Sequence, residues 1–564
     1  MDPAAAAIFF KPALGDLIDP MRMLGMGHAV DRIQSAVRAS EPILIYGDYD
    51  VDGTTATVLL KTAIERIAPK DKPAIVTWHV PHRIRDGYGM QEHVLASAAE
   101  RGVRLVISVD TGIRAFAAAA EAKLHGLDLI VTDHHIPDGA AGVPDALAIL
   151  NPSQAGCPYP FKSLCGAGVA FKLAHALLAA AAVTPDQQNR LRDVLLPSFL
   201  KLVGIATIAD SVPLIGENRL IASLGLQALC NPVQPGLRAL MSVAKLALDR
   251  SPSATEVGFR LAPRINAAGR MDVADDVIEL FLTRDPARAQ SLADRLDRMN
   301  QDRRAAEAEA LAAIEVQLDS FRTPKGEFRS ECIILDDPAW HRGVLGILAS
   351  RVVEKTGRPA LVLTHENGQA HGSGRSIPGF HLLDALTAVD LSLGRRGAET
   401  IFTRFGGHAY AVGFSLPSAN VPSLCARMRS HAESTLTPAI LCPERQYDVE
   451  LDFADITPEL WKWLRHCEPF GNAHPEPLFL TRNVKLAAPV RFIKEEHICL
   501  ELVQSDRQLR FSALGWSRST DWVARCRELD LQHGSLIEIA YRLRENQHPQ
   551  FGGLQLELVA MQPA

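Results

Sequence analysis

A chain of 564 residues is too long for one hydrophobic core, and at about 100–200 residues per domain it divides into three or four. With 47% hydrophobic and 22% charged residues it has the composition of a globular protein, and a formal net charge of −6 excludes a uniformly basic surface. Any contact with nucleic acid therefore falls to local Arg and Lys clusters.

Residues 1–40, which contain LGDLIDPMRMLGM, read as a short helical lead-in. The opening MDPAAAAIFFKP has no basic stretch followed by a long apolar one, and no apolar run approaches the roughly 18 residues of a membrane span, so neither secretion nor membrane insertion is expected. From residue 43 strand, loop and helix patterns alternate: ILIY, TTATVLLKTAIERI, AIVTWHV, MQEHVLASAAERG, RLVISVD, AFAAAAEAKLHG, LDLIVTD and ALAIL (146–150). Such alternation predicts βαβ units and a parallel sheet covered by helices. Residues 165–250 turn helical and carry AGVAFKLAHALLAAAA and LRDVLLPSFLKLVGIATIAD, a segment expected to cap the sheet. Residues 286–320 hold no glycine and no proline after Pro286, and their stripe of Leu292, Leu296 and Met299 predicts a long, half-exposed helix at the main domain boundary. A second α/β unit follows, with CIILDD (332–337), GVLGILASRVVEKTG (343–357) and PALVLTH (359–365), ending near 440. The remainder, with CLELVQ, LRFSALGW, SLIEIAYRL and LQLELVAM, is dense in short strands and predicts a small barrel. Nine cysteines, scattered and never in a Cys-x-x-Cys pair, argue against a disulfide framework or a structural zinc site and suit a reducing cytoplasm.

The chemistry is concentrated where short apolar, β-branched runs end. Asp48, Asp50 and Asp52 lie in GDYDVDG (47–53), Asp110 in VISVDTG (106–112), Asp133, His134 and His135 in IVTDHH (130–135) and Asp210 in IATIAD (205–210), the last also taken as a strand end. In an open parallel sheet the carboxyl ends of the strands line one crevice. Four or more carboxylates with two imidazoles there demand compensating positive charge, which hard divalent cations supply, so the pattern reads as a two-metal hydrolase site. Asp50 and Asp52 can project from one turn toward different metals, although Asp50 can equally cap the following helix. Asp48 is assigned a supporting place. At a strand end the adjacent side chains of His134 and His135 are expected to diverge, and Asp133 is placed to orient an imidazole. Asp110 is the natural bridging carboxylate, and Asp210 completes the second ion's shell or else serves as a helix cap. Two metals about 3.5–4 Å apart would acidify a water and stabilise charge on phosphate oxygens. The chain shows no nucleophile elbow, P-loop or dinucleotide fingerprint that would point to serine hydrolysis, ATP use or a redox cofactor, and no need of ATP is expected.

GDYDVDG, the SVD end, the DHH triplet and the IAD end occur in the order of the four motifs of the DHH phosphoesterases, and GGHAYAVGF (406–414) resembles the glycine-rich signature of the DHHA1 domain. Together with APRINAAGRM (262–271) and GSGRS (372–376), these segments are similar to those of the bacterial branch of the family that degrades single-stranded DNA from its 5′ end, over residues 40 to the C-terminus. The resemblance implies an α/β parallel-sheet DHH domain (1–280), a connecting helix (281–325), an α/β DHHA1 domain (326–440) and a C-terminal β-barrel of OB fold (441–564). It implies catalytic Asp50, Asp52, Asp110, Asp133, His134, His135 and Asp210, with Asp50, Asp52, Asp110, His134 and Asp210 on two Mn2+ or Mg2+ ions and His135 on the phosphate or bridging water.

Nucleic-acid contacts are expected from further segments. GSGRS sets Ser373 and Arg375 beside backbone read as flexible at Gly372 and Gly374, suited to wrapping a phosphate or to a plain turn. In similar proteins this segment and the Arg of a PxRxxDGYG stretch hold the 5′-terminal phosphate; the match in PHRIRDGYG is Arg83, with Tyr88 a base-stacking or buried structural aromatic. Arg264, Asn266 and Arg270 surround a tight small-residue turn that could touch DNA backbone, with packing the rival for Arg264. His408 would face the catalytic cleft or be a satisfied histidine on a glycine turn. Where relatives show PFGxGNPEP this chain has PFGNAHPEP (469–477), so Ala473 and His474 are departures expected to alter a hinge before the barrel.

The expected function is hydrolysis of single-stranded DNA 5′→3′ to 5′-mononucleotides in recombination and repair, alongside single-strand-binding protein and a helicase, with no membrane partner. Two alternatives remain: a DHH phosphodiesterase of short oligonucleotides or cyclic dinucleotides, which usually lacks the long helix and barrel, and a non-catalytic nucleic-acid scaffold, which has no need of a complete ligand set.

Overall fold

The computed structural model describes residues 3–82, 86–87, 89–271, 274–323, 328–391, 400–441, 446–504, 509–517, 520–546 and 553–564. The chain forms two compact units, Met1–Arg303 with Cys467–Pro475, and Arg304–His466 with Glu476–Ala564. In the first, β1 (Ile43–Tyr46), β2 (Val76–His79), β3 (Leu105–Val109), β4 (Asp128–Thr132) and β5 (Ala148–Leu150) form a wholly parallel sheet in the order β2-β1-β3-β4-β5. The nearly continuous apolar runs of β1, β3 and β4 follow from burial on both faces. Ile43, Ile45, Leu105 and Ile107 pack on one face with Ile33, Leu59, Leu173 and Leu177, while Leu44, Tyr46, Val106 and Leu129 pack on the other with Leu95, Ala98 and Ala118. Pairing of Tyr46 with Ser108 and of Val109 with Thr132 brings the carboxyl ends of β1, β3 and β4 level. The direction of chain progression reverses between β1 and β3, so this is the switch point at which doubly wound sheets bind ligands.

Asp210 reaches that crevice differently from the expectation. IATIAD is not a strand: the helix Leu196–Ala209 runs through it, and Asp210 terminates the helix. Leu200, Val203, Ile205, Ala206 and Thr207 are all buried, and an apolar run buried on most sides carries no periodicity that separates helix from strand. PRINAAGR also corrects the expected turn, because it lies within the helix Ala262–Met271. Its small residues serve close packing; a Cβ at Gly269 would come 2.5 Å from the carbonyl oxygen of Tyr49.

PFGNAHPEP falls mostly in Cys467–Pro475, a segment that belongs to the first unit. The Arg219 guanidinium donates to the carbonyls of Glu468 and Pro469 at 2.9 and 3.1 Å and stacks 3.8 Å over the Phe9 ring. His474 donates from Nε2 to the Cys467 carbonyl, 2.9 Å away, and its ring packs against Phe9 and Phe470.

The helix Pro286–Ser320 starts at a proline, as expected, with the Asp285 carboxylate accepting from the Ala287 N–H at 3.0 Å. Leu292, Leu296 and Met299 are buried in the first unit's core, and Ile314 and Leu318 in a core of the second with Ile333, Leu335 and Trp340.

The second unit holds two sheets. β6 (Ile333–Asp336), β7 (Ala360–Glu366), β8 (Gln369–Arg375), β9 (Arg404–Gly407) and β10 (Ala411–Pro417) form a mixed sheet in the order β6-β7-β8-β10-β9. GSGRS therefore lies largely in β8, a strand paired on both sides, and its backbone is committed to the ladder instead of being flexible. Its glycines make room for neighbours: a Cβ at Gly372 would meet the Phe414 ring at 2.2 Å, and one at Gly374 would meet Leu361 at 2.6 Å. The last sheet comprises β11 (Val449–Glu450), β12 (Phe479–Leu486), β13 (Arg491–Ile493), β14 (His497–Gln504), β15 (Arg510–Gly515), β16 (Leu536–Asn546) and β17 (Gly553–Pro563). Pairing of β12 with both β16 and β14 closes the circuit β12-β16-β17-β15-β14 into the expected small barrel, here of five strands, around Val484, Leu500, Ile539 and Leu556.

Candidate metal centre

The loop after β1 enters the helix Val51–Ile67, and Asp50 caps it, its Oδ1 accepting from the N–H groups of Asp52 and Gly53 at 2.9 and 3.1 Å. Asn266 also grips this loop, accepting at Oδ1 from the Val51 N–H at 3.1 Å. Asp52, on the first helical turn, points to another helix start: its Oδ2 and Oδ1 accept from the N–H groups of Gly166 and Ala167 at 2.6 and 2.8 Å. These two N–H groups belong to the helix Gly166–Ala181 and had no signal in the sequence beyond the small residues of CGAG. Gly166 is also a steric requirement, since a Cβ there would lie 2.4 Å from Oδ1 of Asp110.

Asp110 follows β3 with a left-handed φ of 60°, uncommon for a residue with a side chain and a form of strain that collects at functional sites. Asp133 follows β4 and is saturated with donors. Its Oδ1 accepts from the His134 N–H (2.7 Å), the His135 N–H (3.1 Å) and His135 Nδ1 (2.7 Å), and its Oδ2 from the Ile113 N–H (2.9 Å). It therefore orients His135 and is not among the described residues grouped as candidate metal ligands. β4 ends at Thr132, so strand alternation does not extend to the histidines, and they do not diverge: their ring centroids are 4.4 Å apart.

The liganding atoms converge in three overlapping groups, each with its members within 4.8 Å of one another: Asp48, Asp50 and Asp110; Asp52, His134 and Asp210; and Asp110, His134 and His135. Asp110 and His134 each belong to two of these groups. Asp48, given a supporting place from sequence, lies in one of these groups, beside Asp50 and Asp110. His134 Nε2 lies 3.3 Å from Asp110, 3.8 Å from Asp210 and 3.9 Å from Asp52.

Electrostatics follow from burial and crowding. Burial, then the charges of Asp52, Asp50, Asp48 and Asp210, pushes Asp110 well above the usual carboxylate range, and burial with Asp52 and Asp50 raises Asp210 to about 9. Burial holds His134 below its ordinary value, hence neutral and able to donate a lone pair. For His135 burial acts downward but is outweighed by the hydrogen bond and charge of Asp133, so its pKa is raised. Carboxylates forced to retain protons beside a neutral imidazole make a donor set that fits divalent cations, which would replace the protons.

Of the remaining expected residues, Arg83 and Tyr88 lie outside the described residues, as does the side chain of Arg270. Arg264 is structural, paired with Asp297 at 2.8 Å and donating to the carbonyls of Arg260 and Val243. In the second unit Ser373 and Arg375 sit together, Arg375 Nη1 donating to Ser373 Oγ at 3.3 Å. A Cβ on Gly346 would lie 3.0 Å from Arg375 Nη2 and 3.3 Å from Ser373 Oγ, so both groups stand at the start of the helix Leu345–Thr356, where helix polarity favours an anion. His408 is exposed in the turn between β9 and β10.

Residues 42–207 match the DHH family, N-terminal domain, residues 330–434 the DHHA1 domain and residues 447–560 the RecJ OB domain. The chain is 39% identical over 489 residues to the single-stranded-DNA-specific exonuclease RecJ of Bacillus subtilis, covering 86% of this chain and 57% of that protein. It is 36% identical over 490 residues to the RecJ of Salmonella typhimurium, covering 85% of this chain and 81% of that protein. RecJ of Thermus thermophilus in complex with Mn2+ superposes with a TM-score of 0.78 at 28% identity, over 98% of this chain and 73% of that one, and its Mg2+ complex with a TM-score of 0.72.

Proposed function

Since the chain belongs to the RecJ family, we propose that it is a metal-dependent exonuclease that hydrolyses single-stranded DNA 5′→3′ to 5′-mononucleotides. The observation that carries this is the convergence of Asp48, Asp50, Asp52, Asp110, His134, His135 and Asp210 in overlapping groups at the sheet's switch point. Two divalent cations, Mn2+ or Mg2+, supply Lewis acidity and an acidified water when bound. Asp48 and Asp50 would hold one, Asp52, His134 and Asp210 the other, and Asp110 both. Asp133 accepts from Nδ1 of His135 and raises its pKa, so that the imidazolium form donates from Nε2 to a phosphoryl oxygen as charge builds there. The Gly166 and Ala167 N–H groups fix Asp52 by donating to its Oδ2 and Oδ1.

The helix-start cluster of Ser373 and Arg375 suits a terminal phosphate, which supports 5′ polarity; Gly372 and His408 complete the proposed contacts of the second unit with the strand. Arg83, Tyr88 and Arg270 belong to the same proposal, whereas Asn266 acts by holding the Val51 loop. The domain assignment is 1–280 catalytic, 281–325 connecting helix, 326–440 DHHA1 and 441–564 OB fold. A cytoplasmic place is supported by eight described cysteines that are all free thiols, and no described helix is long and apolar enough to cross a membrane. Single-strand-binding protein and a helicase as partners rest on family resemblance.

The test is a time course on single-stranded DNA labelled in turn at each end, in Mn2+, Mg2+ or EDTA, with Asp110→Ala as control. Immediate metal-dependent release of labelled mononucleotide from the 5′ end alone is expected. Intact DNA together with rapid cleavage of a dinucleotide would instead favour a small-substrate phosphodiesterase.

A further inference from the structure

Asp210 is more loosely held than the other carboxylates it groups with. Its side chain is 26% exposed against 1% for Asp52 and 4% for Asp110, and no described residue hydrogen-bonds its carboxylate. Its aim is therefore set by the backbone that carries it, the end of the helix Leu196–Ala209 and the residues that follow. That backbone turns sharply, with Ser211 at a left-handed φ of 57°.

The turn is gripped by a segment more than 250 residues further along the chain. Asn472 Nδ2 donates to the Ser211 carbonyl at 2.6 Å, and the Asn472 carbonyl accepts from the Leu214 N–H at 2.7 Å. Gly471 lies so close that a Cβ would come 2.6 Å from Leu214 Cδ1. Arg219 anchors the other end of the segment through the carbonyls of Glu468 and Pro469 and is itself 6% exposed. Asn472 thus bonds both sides of the 211–214 turn, one through its side chain and one through its main chain.

We propose that Asn472 is a positioning residue for the metal centre, clamping the 211–214 turn so that the Asp210 carboxylate faces the ion held with Asp52 and His134. It touches neither ion nor substrate. Within the segment that supplies it, Ala473 takes a left-handed turn and His474 bonds the Cys467 carbonyl, which folds the segment back on itself. The proposal rests on Asp210 being a ligand.

The experiment is a Mn2+ titration of the metal-free protein, followed by the electron paramagnetic resonance of free Mn2+, for wild type, Asp210→Ala, Asn472→Ala and Asn472→Asp. Asp210→Ala identifies which of the two dissociation constants belongs to its site; if it changes neither, the ligand reading itself fails. Asn472→Ala is expected to weaken that same constant about two- to tenfold, the span of one lost hydrogen bond, and to leave the other unchanged. Asn472→Asp has the same shape without a donor and is expected to do the same or worse. The Mn2+ concentration for half-maximal cleavage should rise in parallel while the melting temperature stays within about 2 °C, as expected for a surface change. Wild-type Mn2+ affinity in both Asn472 variants, or a lowered melting temperature with unchanged affinity, would overturn the proposal and leave Asn472 a structural residue only.

Discussion

Asp133 holds His135 by two bonds to one oxygen atom, which takes a third from its neighbour: Oδ1 accepts from the backbone N–H of His135, from His135 Nδ1 at 2.7 Å and from the backbone N–H of His134. A carboxylate tied in this way, with its other oxygen on the Ile113 N–H, has both its orientation and its charge devoted to one imidazole. Asp133→Asn keeps the shape but sets an amide where only donors face it. The expected outcome is a fall in kcat of about 10–100-fold, the usual cost of losing a partner behind a functional histidine. The pH profile is the sharper readout. Activity that needs protonated His135 is lost as pH rises through its pKa, and without Asp133 that pKa is no longer raised, so the alkaline limb moves to lower pH. A slower enzyme whose limb has not moved would show that His135 is not the proton donor.

Metal binding should be visibly coupled to protons. With Asp210 at about 9 and Asp110 also raised, the metal-free centre carries protons at neutral pH that a cation must displace. For each proton released, affinity rises about tenfold per pH unit until the group's own pKa is reached. Calorimetric titration with Mn2+ at pH 7 in buffers of different ionisation enthalpy should report release of at least one proton. Binding with no dependence on the buffer would mean the carboxylates are already ionised and the crowding is relieved in some other way.

Much of this was legible in the sequence, and the reasons are local. Asp50, Asp110 and Asp133 stand after ILIY, VISV and IVT, runs short and β-branched enough to be strands, and a parallel sheet then dictates that their ends meet. Asp210 escaped the same logic because Leu196–Ala209 is buried on nearly every side and its apolar run is compatible with either element. GSGRS misled in the opposite direction: glycine suggests a turn, yet Gly372 and Gly374 are there because Phe414 and Leu361 occupy the space of a side chain. The grip of Asn472 on Ser211 could not be read at all, since a hydrogen bond between residues 261 apart leaves no pattern in either segment.

Gly166 offers a steric test of how closely the centre is packed. An added methyl would lie 2.4 Å from Asp110 Oδ1 and 2.6 Å from its Cβ, and neither the buried carboxylate nor the helix start that holds Asp52 has room to yield. A displacement near 1 Å is worth about a hundredfold in rate. Gly166→Ala is therefore expected to lower Mn2+-dependent cleavage by about that factor, with weaker Mn2+ binding as the cause. Because Asp110 and Asp52 both belong to the liganding groups, a Mn2+ titration should show both dissociation constants raised; wild-type affinity and rate would mean the glycine is not needed for the approach.

A last expectation concerns stability away from the metals. His175, on the helix Gly166–Ala181, is pushed down to about 4, first by burial and then by the charge of Lys172, and its Nδ1 is buried with no hydrogen-bond partner among the described residues. The unfolded chain binds this proton at an ordinary value of about 6.5, so between the two values it is the unfolded state that gains protons. The stability His175 allows is complete above about 6.5 and is lost as pH falls toward 4, by at most about 3 kcal/mol. Urea unfolding of wild type and His175→Leu at pH 7.5, 5.5 and 4.5 should show a shallower loss of stability with acid in the variant. The leucine keeps an apolar contact with Phe171, whose ring stacks on His175 at 6.0 Å, so the variant should remain folded at neutral pH. Parallel pH dependences in the two proteins would place the acid sensitivity of this unit in the carboxylates of the metal centre instead.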